Sequence, residues 1–178
     1  IGAGTVLVAL IGLREFASMK ALDPNWRIFA GWMNPNALAG ILVLGMFPCL
    51  GGMVTARRPV HALLCGLGAV LIGFALLLTG SKGGLLSLAA GIGIFLFYLL
   101  VRHRRGILPV LAVVGIVAAL SFAQSRSSAS GAAAGLSRMQ QGEATQVQSV
   151  GFRKQLWLTA IDLMRSNPIG SGPGTFRF

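Results

Sequence analysis

His61–Leu78 (HALLCGLGAVLIGFALLL), Thr79–Gly84 (TGSKGG) and Leu85–Val101 (LLSLAAGIGIFLFYLLV) are two long apolar runs joined by a short polar turn. A bilayer core of roughly 30 Å is crossed by about 20 apolar residues in a helix. Each flank of the turn approaches that length, so the stretch reads as a helical hairpin in a membrane. Working outward, 36–54 and 107–123 are two more runs of the same kind. A fifth, 1–13, is short and begins without Met. It lacks the charged head and cleavage site of a signal peptide. It reads as a cut span, so the chain is expected to be a piece of one larger domain.

Composition agrees. The 178 residues are 54% hydrophobic and 11% charged, with mean hydropathy +0.77, whereas soluble domains carry about 25% charged residues. The expected fold is all-α: a polytopic integral membrane helix bundle. The spans are placed at about 1–13, 36–54, 61–79, 84–101 and 107–123, and an extracytoplasmic loop at 124–178 carries a short amphipathic helix at 152–166.

The formal net charge is +11. These charges lie in loops between spans, which points to lipid headgroups and phosphates and away from nucleic acid. Arg57 and Arg58 fall in one short loop, and Arg102, Arg104 and Arg105 in another. The turn between them carries only Lys82. The positive-inside rule puts both arginine loops in the cytoplasm. Alternation then puts 14–35, the 79–84 turn and the tail 124–178 on the outer side. Orientation and anionic-lipid contact are enough to account for the arginines. Cys49 and Cys65 read as small packing residues, because no metal-ligand spacing accompanies them.

The turn itself has chemistry. A cation at a membrane face needs a partner, and the nearest acids in sequence are Asp23 and Glu143. Ser81 suits the N-cap of the following helix. Gly83 and Gly84 leave its first N–H groups open to approach. A helix N-terminus beside an ammonium group suits a phosphate. The order Gly-Ser-Lys-Gly between apolar helices is not a phosphate-binding loop of the strand-linked kind.

Asn34-Pro35-Asn36 opens the second span. Asn34 suits an N-cap and Pro35 the first helical position, while Asn36 offers an amide to a sugar or headgroup. In the tail, 124–150 is rich in Ser, Ala, Gly and Gln and reads as a flexible loop. Residues 152–166 have helical periodicity, and Pro168 stops that helix. Too short to span, it is expected to lie at the membrane surface. Phe152, Leu156, Trp157, Ala160, Ile161, Leu163 and Met164 share one half of its wheel. Arg153 projects from the middle of that half, where an anion could meet it. Asn167–Gly174 is dense in turn formers.

No nucleophile–histidine–acid set is visible. Glu15, Asp23, Glu143 and Asp162 are the acids on the outer side, too few for a paired-carboxylate hydrolase or an acidic metal pair. What remains is basic: Lys82 and Arg153, with Arg126 and Arg138. Cations without acids suit an anionic leaving group, whose developing charge is often the largest catalytic term.

Asn-Pro-Asn at the head of one span, Thr-Gly-Ser-Lys-Gly-Gly between later spans, Arg153-x3-Trp157 and Asn-Pro-Ile-Gly-Ser-Gly-Pro-Gly occur here in one order. Over about 30–178, that order resembles the shared domain of bacterial O-antigen ligases and O-antigen polymerases. The resemblance implies a multi-pass inner-membrane glycosyltransferase acting on the periplasmic side without metal or other cofactor. Its donor would be an undecaprenyl-pyrophosphate-linked glycan, and its acceptor a glycan, lipid or protein. Lys82 and Arg153 match the family's cations and are the candidate catalytic residues. Ser81, Gly83, Asn36, Trp157 and Arg138 are the candidate substrate-binding residues. Two departures stand out. Many members carry Arg where this chain has Lys82, and Arg contacts phosphate in a bidentate way that Lys does not. The family's histidine base is expected beyond Phe178, since His61 and His103 fall on the cytoplasmic side. The alternative from another class is a transporter or flippase for an anion or a lipid-linked glycan. Such proteins often show internal repeats, and none is seen here.

Overall fold

The computed structural model describes residues 1–23, 26–127 and 143–166, in two separate compact units, Ile1–Met139 and Gln140–Phe178. The first unit holds α1 (Gly2–Met19), α2 (Pro35–Thr55), α3 (Pro59–Leu78), α4 (Lys82–Arg102), a 3₁₀ turn (Arg104–Gly106) and α5 (Ile107–Ser127). The second holds α6 (Glu143–Ser166). No strand occurs among the described residues. Five helical stretches there, α1 to α4 and Arg104–Ala123, are long and apolar enough to cross a membrane. The chain is an all-α polytopic membrane bundle.

Three helices run well past the limits that the sequence pattern marks. α1 continues from 13 to Met19, through Arg14 and Glu15. Its last turns are polar in composition, but one flank still buries Gly12 and Phe16. α6 starts at Glu143 and not near 152, because Glu, Ala and Gln are good helix formers even without an apolar stripe. α5 likewise runs to Ser127, past 123. Both changes shorten the stretch read as loop.

Helix ends follow local chemistry. Asn34 caps α2, its Oδ1 accepting from the Asn36 N–H at 2.8 Å, with Pro35 at the first position. Ser81 caps α4, its Oγ accepting from the Gly84 N–H at 3.2 Å. Each cap satisfies one of the N–H groups that a helix start leaves unpaired.

α3 is the centre of the first unit, packed against α1, α2 and α5. It buries Gly68, Ala69, Ile72, Gly73, Ala75, Leu76 and Leu78. Small residues let these helices come close, the rule where lipid supplies no hydrophobic drive between helices. A Cβ on Gly73 would lie 2.9 Å from Val117 of α5, and one on Gly84 would lie 2.8 Å from the Ala39 Cβ of α2. α4 sits at the edge: Gly84 and Leu99 are its buried residues. Leu86, Ile94, Phe97, Tyr98, Leu100 and Val101 lie exposed along it, which suits a helix facing lipid.

Candidate functional site

The hairpin predicted from sequence is present, and its turn is partly buried. Thr79 ends α3 and is 0% exposed; Ser81 is 3% exposed. The Thr79 hydroxyl donates to the Leu76 carbonyl at 2.7 Å and accepts from the Ser81 N–H at 3.2 Å. Gly80 supplies the reversal with φ +61°, a left-handed conformation natural to glycine. The Leu85 N–H donates to the Ser81 carbonyl at 3.0 Å, so α4 is bonded from its first turn.

Within that turn the N–H groups of Lys82 and Gly83 have no hydrogen-bond partner among the described residues. Gly83 is exposed, and a Cβ there would meet nothing within 4 Å. Lys82 is half-buried, and no described carboxylate forms an ion pair with it. Two open donors, a positive helix end and an unpaired ammonium group therefore share one place.

The other side of this place is α2. The Gly84–Ala39 approach puts the N-termini of α2 and α4 next to each other, the two helices running in parallel. Asn36 is one turn above Ala39 and exposed. Ser81, Lys82, Gly83 and Asn36 thus gather at one end of the first unit. Trp157 lies on α6 of the second unit, 75% exposed. Arg153 falls within α6 as well. Arg138 and Asn167–Gly174 lie outside the described residues.

Two further residues, Arg27 and Glu15, shape this end through long-range bonds. Arg27 donates from Nε to the Thr79 carbonyl at 2.6 Å, and the Ile28 N–H reaches the Leu78 carbonyl at 3.4 Å. The connection between α1 and α2 is thereby laid onto the hairpin turn. Glu15 holds that connection from behind. Its carboxylate accepts from the Trp26 indole N–H at 2.8 Å, the Ala30 N–H at 2.7 Å and the Phe29 N–H at 3.2 Å. Ala30 adopts φ +46° there, a conformation costly for a residue with a Cβ. Glu15 was legible in one respect: an ionisable group inside a span signals a role, but only once α1 is known to reach Met19. Arg27 carries no such signal.

Residues 67–178 match the family model described as O-antigen ligase. The chain belongs to the O-antigen ligase family. The match begins inside α3 and takes in the hairpin turn, α4, α5 and α6, while Glu15, Arg27 and Asn36 come from the part before it. No curated protein and no solved structure matches the chain at a significant level. Family and apolar helices together make this a bacterial membrane protein with the general role of an O-antigen ligase or polymerase, a glycosyl-transferring enzyme.

Gly83 and Gly84 of this O-antigen ligase domain's turn separate function from packing. Gly83→Ala adds a methyl group in open space on a helix and is expected to raise stability by up to about 1 kcal/mol. If the open N–H groups receive substrate, the same change lowers glycan transfer by crowding them. Gly84→Leu drives a side chain into Ala39 and is expected to cost about 1–3 kcal/mol. Thermal melting in detergent and a transfer assay on both variants check the pair.

Proposed function

We propose that this chain belongs to an enzyme that transfers a glycan from undecaprenyl pyrophosphate to a hydroxyl acceptor at the outer, periplasmic face of the inner membrane, without metal. The observation that carries this reading is the α3–α4 turn, where Lys82 has no ion-pair partner and two N–H groups have no acceptor among the described residues, in a family of glycan ligases. Lys82, with Ser81, Gly83 and Asn36 at the same end, receives the donor pyrophosphate at that helix start; Arg153 is assigned as a second cation, and Trp157 and Arg138 as substrate-binding residues, on the family resemblance. The acceptor oxygen attacks the anomeric carbon. The new carbon–oxygen bond forms as the bond to pyrophosphate breaks, and the electron pair leaves on the pyrophosphate. Charge growing on that oxygen is what fixed donors stabilise best. The hydroxyl proton goes to a base. His61 and His103 lie at the far end of α3 and α4 from the turn and do not serve as that base.

The orientation follows from charge. Arg57, Arg58, Arg102, Arg104 and Arg105 collect at the end opposite the turn, which the positive-inside rule assigns to the cytoplasm. In α6, Phe152, Trp157, Leu158, Ile161 and Met164 are exposed, which supports a helix lying against the membrane surface.

The test uses the full-length protein in proteoliposomes with an undecaprenyl-pyrophosphate-linked oligosaccharide, candidate acceptors and no added metal. Glycan transfer with stoichiometric release of lipid pyrophosphate is expected. Solute or lipid-linked glycan crossing the bilayer without transfer would overturn the reading in favour of a transporter.

A further inference from the structure

The opposite end of the first unit holds a cavity of about 630 Å³, lined by Val54, Thr55, Arg102, His103, Arg104 and Arg105. Its floor is fixed. The 3₁₀ turn Arg104–Gly106 is seated on the end of α2, where a Cβ on Gly106 would lie 2.7 Å from Val54. Only glycine permits that approach, and it places consecutive basic residues at the rim of one hollow. Arg104 donates from Nε to the Leu100 carbonyl at 3.2 Å. This bond anchors the guanidinium and leaves its terminal nitrogens without a partner among the described residues.

Among the described residues of the first unit, no acid offsets this charge. The described acids of the first unit, Glu15 and Asp23, both belong to the hairpin end. Arg57 and Arg58, in the neighbouring α2–α3 connection, add to the same sign. Orientation by the positive-inside rule counts charges and is indifferent to where they point. It does not explain an open hollow whose rim carries an anchored guanidinium. Arginine's planar fork suits phosphate oxygens. Next to the basic rim, Phe97, Leu100 and Val101 of α4 are exposed and apolar. A ligand with a phosphate head and apolar tails meets both surfaces at once.

We infer that this cavity is a phosphate-binding site that takes the phosphodiester headgroup of an anionic phospholipid, its acyl chains lying along the exposed face of α4. The site is separate from the turn proposed to hold the donor, and it stands whether or not the transfer reaction does. Basic pockets between spans are suited to such headgroups.

The experiment is lipid selectivity, measured with spin-labelled phosphatidylglycerol and phosphatidylcholine in vesicles containing the full-length protein. Wild type is expected to prefer phosphatidylglycerol. Arg104→Gln with Arg105→Gln is expected to lower that preference on the order of tenfold, two cations near the surface being removed. Arg104→Lys with Arg105→Lys keeps charge and topology but loses the fork, and is expected to lose much of the preference too. If the lysine pair matches wild type, only diffuse surface charge is at work and the site is overturned. Absence of any preference in wild type overturns it as well. Inorganic phosphate is the second arm. Displacement of phosphatidylglycerol by millimolar phosphate in wild type, absent in the lysine pair, supports the phosphate site and makes a soluble phosphate its occupant. No displacement with the arginine dependence intact supports the lipid.

Discussion

Lys82→Ala in the full-length protein is expected to lower glycan transfer on the order of 10²–10³-fold, the loss typical when one fixed donor to a developing anion is removed. The fold should not suffer. Lys82 is half-buried and forms no ion pair among the described residues, so nothing charged is left stranded by its loss. The capping bond from Gly84 to Ser81 and the bond from Leu85 to the Ser81 carbonyl do not involve its side chain. Lys82→Arg keeps the charge and supplies more donors, and is expected to retain most activity. The measurement is transfer by wild type and both variants, with thermal melting of each. Normal turnover in Lys82→Ala would remove this residue from the mechanism. Loss of turnover with a lowered melting temperature would make its role structural.

Glu15→Ala is the second large effect, and it works through the fold. The change deletes the acceptor for the Trp26 indole and the Phe29 and Ala30 N–H groups. Hydrogen bonds to a charged group contribute about 1.5–3 kcal/mol each, and buried donors left unpaired are costly in their own right. Ala30 at φ +46° would then be held by the turn bond from the Trp32 N–H to the Phe29 carbonyl at 2.8 Å, without its tie to the bundle. The expected result is release of the 26–30 segment from the bundle, with destabilisation of about 3 kcal/mol. Faster trypsin cleavage at Lys20 and Arg27 would report the release directly. Since Arg27 ties the same segment to Thr79 at 2.6 Å, transfer should fall too. Glu15→Gln keeps an oxygen acceptor and should fall between alanine and wild type. Unchanged cleavage in Glu15→Ala would mean that Ile28, fully buried, holds the segment by packing alone.

These two residues differ in how they could be found. Lys82 stands out on the page because a lone cation between two apolar runs is locally anomalous. Ser81 and Asn34 stand out because capping is a relation between residues two or three apart, and both caps form as the local pattern predicts. Glu15 and Arg27 belong to longer relations. Glu15 bonds residues 11 to 15 positions on, and Arg27 bonds one 52 positions away. No periodicity or turn signal spans those intervals. The boundaries of α1 and α6 slipped for a related reason: hydropathy marks where a helix is apolar, while the backbone continues wherever its hydrogen bonds can be met.

By itself, then, the sequence determined the all-α membrane architecture, the apolar runs that become spans, the turn at Thr79–Gly84 and the caps that start α2 and α4. Each of these follows from hydrocarbon length or from satisfying backbone groups among near neighbours. The tertiary structure alone decided that α3 is central, that α2 and α4 begin side by side, and that the 26–30 segment is fastened to the hairpin turn. Those outcomes depend on close approach at Gly84 against Ala39 and on bonds between distant residues. Such contacts exist only once the helices have packed, because surface shape and reach, unlike hydropathy, are not properties of any short stretch of chain.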